Sequence, residues 1–501
     1  MFMRTRRRRH LLPIAAAVVA CCASFATRAT WAGDLQSDVA ALVRAAKVGE
    51  KADVGVSIRE MSTGRIVASV DGTDSLIPAS NQKLLTTGAA LLALGPGFVF
   101  ETSLVRDGDR LVVVGCGDPN FGDPSLLARI PVQRADGTSG LGMRPEEFVD
   151  LWAAAVARSA GGRTISELVV DDRIFAREGS HPSWPADQLD EDYCAFPSGV
   201  SFHANTFSVK PSVRGSTTVV ETIPPSPWVA IDLKVTTKSG KKDKHSPWLR
   251  RSGSDASWIL QGNLKSSESA PIDVCLQDPA LYFGQFLASR LGAHGVDVGS
   301  TRLAQPGEVF SSTAPAAPAV RTSINDAVTR ANTDSSNLHA ESLLKRLAAR
   351  PDGPPATWRA GCEALAARLT KELGPDAAGF AVADGSGLSR SNRVTTNGMT
   401  AWLVRLGRDP AIGAEMRESM AKAGKTGTLR SRMRDLAAKG IDVSCKTGYI
   451  HGVSALSGYV DGPDGTHYAF SVIGNDLTAP GAVAAAKQLQ ESIVRRVATG
   501  S

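Results

Sequence analysis

The sequence predicts an α+β fold in which one domain is assembled from both ends of the chain and interrupted by a long insertion. Near the amino end, alternating apolar residues on either side of Ser62-Thr63-Gly64 indicate a hairpin, followed directly by an apolar helix. Near the carboxyl end, VSALSGYVDGPDGTHYAFSVIGND indicates a second hairpin and GAVAAAKQLQESIVRRVA a terminal helix. These elements can form one antiparallel sheet with helices packed on it.

The middle of the chain differs in character from both ends. With 501 residues the chain can bury at least two hydrophobic cores. Between about Phe100 and Glu308 it carries strand-like runs such as RLVVVG and STTVVET, and a basic loop, KSGKKDKHSPWLRRSGSD. The Pro/Ala-rich passage SSTAPAAPAVRTS then returns to the first domain. We therefore expect an insertion rich in β structure.

The first residues have the three-part pattern of a secretory signal. An arginine cluster precedes an apolar run, Leu11–Ala26, and small residues follow it before Gly33. The run is short for a membrane span, and nothing later offers the roughly 18 apolar residues of a transmembrane helix. We expect a signal peptide over residues 1–32 and export to the periplasm or another extracytoplasmic space. A lipoprotein box at Val18–Cys21 would instead give a lipid anchor, and the paired arginines would fit twin-arginine export.

Charge and composition exclude several classes of partner. Residues 1–32 carry six arginines and no acid, so the formal charge of +6 belongs to this segment and the rest is net neutral. A neutral chain gives no reason to expect nucleic acid as a partner, and at most peripheral membrane association. The cysteines after residue 32 are scattered, which is not a disulfide framework, although one bridge is possible. The eight histidines are scattered and no His-Glu-x-x-His occurs, so no metal or other cofactor is expected.

The segment PASNQKLLTTGAALLALG places Ser80 three residues before Lys83. On a helix that begins near Ala79 or Ser80, these two side chains are neighbours. The positive end of the helix would also favour a developing alkoxide on Ser80. Taken alone, the serine and lysine are too short a pattern to indicate catalysis, and Ser80 is better explained as a simple N-cap.

Two further motifs support a catalytic interpretation. Ser335-Ser336-Asn337 lies in a polar break between two helices, and Lys446-Thr447-Gly448 ends a strand-like run. Serine-x-x-lysine, serine-x-asparagine and lysine-threonine-glycine, in this order, are the motifs of acyl-serine enzymes that recognise penicillin. The hydroxyl needs a proton acceptor, a second hydroxyl and an amide relay protons and hold the substrate, and the strand lysine binds a carboxylate.

A second lysine-threonine-glycine copy, Lys425-Thr426-Gly427, competes with the one at Lys446. It fails as a phosphate-binding loop because Ser419 stands where the leading glycine should be. It also fares poorly as the substrate strand, because charged, helix-like sequence follows it. We therefore place the substrate strand at Lys446. No Gly-x-Ser-x-Gly elbow surrounds these serines, which disfavours an α/β-hydrolase, and Cys445 has no evident histidine partner.

At these motifs the chain resembles the D-alanyl-D-alanine carboxypeptidase/endopeptidase family of low-molecular-mass, class C penicillin-binding proteins. Three other segments extend the resemblance: GCGDPNFGD at Gly115–Asp123, PPATWRAG at Pro354–Gly361 and VADGSGLSRSN at Val382–Asn392. The 255 positions between Ser80 and Ser335 also fit this family, whose extra domains are inserted there. One departure is Cys116, which replaces a glycine of the first segment.

The resemblance implies a penicillin-binding/β-lactamase-like transpeptidase domain with two nested smaller domains. The catalytic domain would comprise residues 33–98 and 312–501. Domain II would comprise 99–118 and 198–311, and domain III 119–197. The implied substrates are peptidoglycan stem peptides, with β-lactam antibiotics as covalent inhibitors; the oligomeric state stays open.

The resemblance also assigns roles to individual residues. The catalytic group would be Ser80 as nucleophile, Lys83 as its base and Ser335 as a relay. The substrate-binding group would be Asn337, Lys446, Thr447, Gly448, Tyr449, Arg390, Asp190 and Tyr193. Among these, the backbone N–H groups of Ser80 and Tyr449 would form the oxyanion hole, and Arg390 would reach the side-chain carboxylate of diaminopimelate. The family commonly has threonine or serine where this chain has Tyr449.

The predicted activity is that of a serine D-Ala-D-Ala carboxypeptidase, with DD-endopeptidase activity as a second possibility on the same site. Burial and the neighbouring ammonium of Lys446 should lower the pKa of Lys83 and make it a usable base. Two alternatives share the motifs: a serine β-lactamase, and a non-catalytic module that binds the cell wall.

Overall fold

The computed structural model describes residues 34–500, except 135–136, 161–163, 216, 312–313 and 464. The predicted signal peptide therefore lies outside the described residues. No helix in the described ranges is both long and apolar enough to cross a membrane.

The strands are, in chain order, β1 (Asp53–Glu60), β2 (Ile66–Val70), β3 (Val99–Asp107), β4 (Arg110–Val114), β5 (Pro131–Gln133), β6 (Ser139–Leu141), β7 (Ile165–Asp171), β8 (Thr206–Arg214), β9 (Thr217–Ile223), β10 (Ala230–Thr236), β11 (Trp248–Ser252), β12 (Ser254–Asn263), β13 (Ile272–Cys275), β14 (Val298–Leu303), β15 (Ala314–Pro315), β16 (Val320–Ser323), β17 (Ala421–Lys422), β18 (Val443–Ile450), β19 (Val453–Asp461) and β20 (His467–Asn475). The helices are α1 over residues 34–45, α2 (Gln82–Leu94), α3 (Pro124–Leu127), α4 (Pro145–Ala160), α5 (Pro279–Ala293), α6 (Ile324–Thr333), α7 (Asn337–Ala348), α8 (Trp358–Leu373), α9 (Thr396–Gly407), α10 (Gly413–Glu418), α11 (Arg434–Ala438) and α12 (Ala482–Thr499).

One antiparallel sheet joins the two ends of the chain. Its order is β17-β18-β19-β20-β1-β2, and each neighbouring pair is antiparallel. β1 pairs with β20 along its whole length, with Val56 opposite Val472. Both predicted hairpins, β1–β2 and β19–β20, and the predicted terminal helix, α12, are therefore confirmed.

Helices cover both faces of this sheet because apolar side chains alternate between the faces along each strand. On one face, Val56 and Phe470 share a core with Ile493 of α12. On the other face, Ile473 shares a core with residues of α2 and α6–α10, including Trp402. The sheet is buried between two helical layers, which fixes the position of β18 relative to α2.

The insertion contains a second, mixed sheet. Its order is β14-β7-β4-β3-β15, with β16 also paired to β3. Helices α4 and α5 cover it around an aromatic core that includes Phe121, Trp152 and Phe283. Two three-stranded sheets, β13-β8-β9 and β10-β12-β11, follow and share a separate core around Trp258. The insertion is thus rich in β structure, as predicted.

The predicted limits of the two inserted domains run through this mixed sheet. β7 lies in segment 119–197, predicted as domain III, yet it pairs in parallel with β4 and β14 of the flanking segments. A shared sheet joins these parts structurally, and the limits of domains II and III stay a prediction.

The part of the insertion that contains Glu178 and Trp184 contacts the domain built from both ends of the chain. The Trp184 indole donates to the Asp384 carboxylate over 3.0 Å, and Trp184 belongs to the same core as α2 and α7. Glu178 forms an ion pair of 2.9 Å with Lys345 of α7. The insertion therefore supports the loop that contains Asp384.

Candidate active site

Ser80 lies on a short 3-10 turn, Ala79–Asn81, that leads into α2. Its hydroxyl does not cap the helix, because Asn81 occupies the N-cap position and no side chain caps it. Ala79 has a φ of 45°, and a Cβ on Gly387 would overlap its carbonyl oxygen. Glycine at position 387 thus lets a neighbouring loop press against the turn and hold Ser80. The simple N-cap explanation of Ser80 is wrong.

Lys83 is fully buried, and its ammonium makes three hydrogen bonds. Nζ is 3.1 Å from Ser80 Oγ, 2.6 Å from Asn337 Oδ1 and 2.8 Å from the carbonyl oxygen of Ser386. A neutral amine has two N–H donors and one lone pair. When Lys83 is neutral, the two stronger acceptors can take its N–H groups, which leaves the lone pair for the Ser80 hydroxyl.

Burial lowers the pKa of Lys83 to about 8, while the Glu341 and Asp384 carboxylates act in the opposite direction. The direction and the role of burial agree with the prediction, but the Lys446 ammonium, which was also expected to lower the pKa of Lys83, is not among the causes. Burial also lowers the pKa of Lys446 well below its usual value, and the nearby Lys83 ammonium adds to that lowering. The site therefore holds two lysines that lose their protons more readily than lysines in water.

Ser335 lies in the break between α6 and α7 with a φ of 64°, in the left-handed region. Such a backbone conformation is costly for a residue with a side chain and recurs at functional sites. It reverses the chain so that Ser335 Oγ accepts a 2.8 Å hydrogen bond from Lys446 Nζ. α7 then begins at Asn337, whose side-chain oxygen accepts a hydrogen bond from Lys83 Nζ.

β18 lies against the Ser80 turn. Asn81 Nδ2 donates to the carbonyl oxygen of Lys446 over 2.9 Å. A Cβ on Gly448 would lie 2.9 Å from the Pro78 carbonyl oxygen, so glycine is required for this approach. The Thr447 hydroxyl is 2.9 Å from the Thr428 hydroxyl. All three predicted motifs thus form one connected network of hydrogen bonds.

Two further predicted residues lie at the far end of β18. The Tyr449 side chain is 57% exposed, with the Lys487 ammonium 5.4 Å from its ring centre. Its side chain thus faces solvent, while its backbone continues the strand. Arg390 is exposed and donates to the carbonyl oxygen of His451 over 2.7 Å, just after β18 ends.

The structure separates the remaining two predicted residues. Tyr193 meets the motifs through its backbone, because its carbonyl oxygen accepts a 2.7 Å bond from Asn337 Nδ2. Its hydroxyl instead bonds Gln188 over 3.0 Å. Asp190 instead pairs with Arg251 over 2.8 Å and forms no hydrogen bond or ion pair with the three motifs within the described ranges.

The second lysine-threonine-glycine copy lies on a turn after β17, not on a strand. Lys425 is exposed, and a 3-10 turn follows over Gly427–Leu429. A Cβ on Gly427 would overlap the Thr333 carbonyl oxygen. This copy therefore packs beside the α6–α7 break, and its nearest neighbour, Thr428, reaches the substrate strand at Thr447.

Two buried carboxylates were missed by sequence reasoning. The Glu341 carboxylate accepts 2.8 Å hydrogen bonds from the backbone N–H groups of both Gly385 and Ser386. These bonds orient the Ser386 carbonyl toward Lys83. Burial raises the pKa of Glu341 to about 8, against the effect of these hydrogen bonds. A usable signal existed, since Glu341 follows Asn337 by one helical turn and shares its face of α7.

Asp384 is the second of these carboxylates. It accepts hydrogen bonds from the backbone N–H groups of Gly387 (2.7 Å) and Ser389 (2.6 Å), and from Trp184. The aspartate thereby shapes the loop that presses on the Ser80 turn. It opens the DGSG run of a segment already noted for its resemblance, from which only Arg390 was selected.

No group of three or more His, Cys, Asp or Glu side chains that could hold a metal ion occurs within the described part of the chain. The cysteines in that part, Cys116, Cys194, Cys275, Cys362 and Cys445, are all free.

Comparison with known proteins places the chain among D-Ala-D-Ala carboxypeptidases. Residues 35–498 match the model of the D-Ala-D-Ala carboxypeptidase 3 (S13) family. The D-alanyl-D-alanine carboxypeptidase of an Actinomadura species is 30% identical over 485 residues, covering 93% of this chain and 84% of that protein. The D-alanyl-D-alanine carboxypeptidase DacB of Haemophilus influenzae is 22% identical over 444 residues, covering 85% of each.

Solved structures show the same fold. Penicillin-binding protein 4 (dacB) from Haemophilus influenzae superposes with a TM-score of 0.72 at 20% identity, covering 91% of this chain and 99% of that one. A second structure of that protein, in complex with a β-lactam, superposes with a TM-score of 0.66. The predicted fold class, family and enzyme class are confirmed: the chain belongs to the D-Ala-D-Ala carboxypeptidase 3 (S13) family of serine-type carboxypeptidases.

Proposed function

We propose that the chain removes the terminal D-alanine from peptidoglycan stem peptides through an acyl-enzyme on Ser80. The observation that carries this proposal is the environment of Lys83. Its Nζ lies 3.1 Å from Ser80 Oγ, and two other acceptors can occupy the N–H groups of its neutral form. A base with a pKa of about 8 is neutral often enough at neutral pH to take the proton of a serine.

Acylation begins when Ser80 Oγ attacks the carbonyl carbon of the D-Ala-D-Ala bond and its proton passes to Lys83. The oxyanion that forms would be held by the backbone N–H groups of Ser80 and Tyr449, the latter on β18 beside the Ser80 turn. Such donors act most strongly on the charge of the transition state. The C–N bond then breaks, and the leaving D-alanine takes the proton that Lys83 received, relayed through Ser335, so that Lys83 returns to its neutral form.

The substrate is oriented by groups on both sides of the cleft. Lys446 and Thr447 would bind the terminal carboxylate, and Asn337 a backbone amide of the stem peptide. Arg390, at the end of β18, would reach the side-chain carboxylate of diaminopimelate. Hydrolysis follows when neutral Lys83 takes a proton from a water molecule, which attacks the ester carbonyl. The proton passes to Ser80 Oγ as the ester bond breaks, and the shortened peptide is released.

Fluorescent penicillin tests the nucleophile. Wild-type protein and the control Ser37→Ala, an exposed serine on α1, should carry one covalent label each. Ser80→Ala should carry none. Equal labelling of Ser80→Ala, or no label on wild type, would refute the assignment. The β-lactam complex of Haemophilus influenzae penicillin-binding protein 4 supports this choice of probe.

The same chemistry on a cross-bridge would make the chain a DD-endopeptidase. Mass spectrometry of products from cross-linked muropeptides separates the two activities, since loss of one D-alanine and cleavage of a cross-bridge give different masses. We expect loss of D-alanine to dominate, in line with the names of the curated relatives. Faster cleavage of cross-bridges would reverse this order.

Two other functions share the motifs. A serine β-lactamase would turn over penicillin rapidly and leave D-Ala-D-Ala peptides intact. A non-catalytic wall-binding module would retain ligand affinity without covalent labelling. A stable penicilloyl-enzyme together with release of D-alanine from a pentapeptide would exclude both.

We also propose that the protein is exported and acts outside the cytoplasm, without a lipid anchor. N-terminal sequencing of the protein purified from cells should begin at Gly33. A mature chain that begins with a lipid-modified Cys21 would instead establish the lipoprotein alternative.

A further inference from the structure

A cavity of about 850 Å³ lies between the insertion and the carboxyl end of α7. α7 begins at Asn337, which accepts a hydrogen bond from Lys83 beside Ser80, and Arg346 lines the cavity nine residues later. At 1.5 Å per residue, this is a displacement of about 14 Å along the helix. The cavity is therefore separate from the site that holds Ser80. Its walls combine Ile174, Phe175, Pro351 and Pro355 with the arginines 173, 177, 346 and 350.

Two of these arginines already have carboxylate partners. Arg173 makes a two-pronged contact with Asp171, with both N···O distances at 2.7 Å. The Arg177 Nε lies 3.0 Å from both oxygens of Asp172. Their charges are offset within the insertion.

The other two arginines form no ion pair within the described ranges. Arg346 has its Nε and Nη1 buried without any acceptor there, and its guanidinium lies 5.3 Å from the ring centre of Phe98. Arg350 is exposed and donates through Nη1 to the carbonyl oxygens of Leu347 and Ala349. Burial lowers the pKa of Arg346, and the adjacent Arg350 charge adds to that effect. An anion in the cavity would offset the repulsion between the two guanidinium groups.

We infer that this cavity binds a carboxylate-bearing peptide of peptidoglycan, with the carboxylate held between Arg346 and Arg350. Planar guanidinium groups match the two oxygens of a carboxylate. The volume far exceeds the roughly 30 Å³ of one water molecule, so a ligand larger than a single ion fits. The apolar walls suit the methyl groups of alanine residues.

The inference rests on the proposed function only for the origin of the ligand. An extended peptide covers at most about 3.6 Å per residue, so about 14 Å corresponds to four residues. One stem peptide is long enough to cover this displacement, but a peptide that binds the cavity while Ser80 is acylated must belong to another stem, and such binding would hold the enzyme on its polymer.

Calorimetry on the penicillin-acylated protein tests this site with the Ser80 cleft blocked. The probe is the tripeptide L-Ala-γ-D-Glu-diaminopimelate, compared with the same peptide carrying amidated carboxyl groups. The acid form should bind wild type, and amidation should weaken binding at least about 10-fold, the range of one lost charged hydrogen bond. Arg350→Gln and Arg346→Gln should each weaken binding by a similar factor. The control Arg359→Gln, an exposed arginine on α8, should bind within about 2-fold of wild type.

Three outcomes would overturn the inference: no binding to the acylated wild type, equal binding of the amidated peptide, or full affinity in both arginine variants. Displacement of the peptide by an equal concentration of inorganic phosphate would also overturn it, because the site would then select charge alone. If Arg346→Gln fails to fold, the exposed Arg350 decides the result. Fluorescent penicillin reports on the proposed function separately, and Ser80→Ala replaces the acylated protein if labelling fails.

Discussion

Removing the ammonium of Lys446 should slow acylation by benzylpenicillin on the order of 100- to 1000-fold, whereas Lys425→Ala should leave it within about 2-fold. Both lysines begin a lysine-threonine-glycine run, so the pair is matched in sequence. They differ in surroundings: Lys446 is fully buried and donates to Ser335 over 2.8 Å, and Lys425 is exposed on a turn.

The magnitude follows from the charge that Lys446 carries once the penicillin carboxylate lies beside it, because this carboxylate opposes the burial that lowers the pKa of Lys446. Two unit charges about 4 Å apart attract by about 4 kcal/mol at the effective dielectric typical of proteins, which corresponds to roughly 1000-fold in rate. Water that enters the space left by Lys446→Ala would solvate the carboxylate and replace part of this attraction. We therefore expect the acylation rate to fall by somewhat less than roughly 1000-fold.

Stopped-flow acylation of wild type, Lys446→Ala and Lys425→Ala measures the effect. Penicillin methyl ester supplies an internal control, because it lacks the carboxylate. Wild type should react slowly with the ester, and Lys446→Ala should slow that reaction little further. A large loss in Lys425→Ala with Lys446→Ala near wild type would mean that the substrate strand is misplaced. Equal losses of Lys446→Ala on acid and ester would mean that Lys446 does not bind the carboxylate.

Lys83 must be neutral to accept a proton, and its pKa is lowered to about 8. The acylation rate should therefore rise about tenfold per pH unit below pH 8 and level off above it. A flat profile between pH 6 and pH 8 would exclude Lys83 as the base. Gly448→Ala places a Cβ 2.9 Å from the Pro78 carbonyl oxygen, so the Ser80 turn must shift. The acylation rate should fall by roughly 10- to 100-fold, while circular dichroism shows a folded protein. An unchanged acylation rate would show that the turn tolerates the shift. Trp184→Phe removes the indole donor to buried Asp384 and should lower the free energy of unfolding, measured by urea titration, by about 1–3 kcal/mol. An unchanged free energy of unfolding would mean that another donor replaces the indole.

Side-chain motifs were predictable from the sequence, and backbone contacts were not. Ser80, Lys83, Ser335, Asn337 and Lys446 follow from residue type and order, because their chemistry depends on side chains. The Ser386 and Tyr193 carbonyl oxygens could belong to any residue, so no letter in the sequence marks them.

Pairing between distant residues set another limit. The resemblance assigned Asp190 to substrate binding, yet its partner is Arg251, 61 positions away. The left-handed backbone of Ser335 was equally hidden, because serine seldom adopts this conformation. The hairpins at both ends were predictable because alternation and turn residues are local signals.

The pairing of β1 with β20 has a consequence for how the protein acquires activity. Asn81 and the Lys446 carbonyl oxygen, which join the nucleophile turn to the substrate strand, are 365 positions apart in the chain. Contacts of such long sequence separation form late in folding, because the entropy of closing the loop must be met first. Folding of the insertion draws the ends of that loop together and shortens the distance still to be searched. The nucleophile turn therefore lacks its substrate strand until the sheet that joins both ends of the chain closes, so the site is complete only when folding is complete.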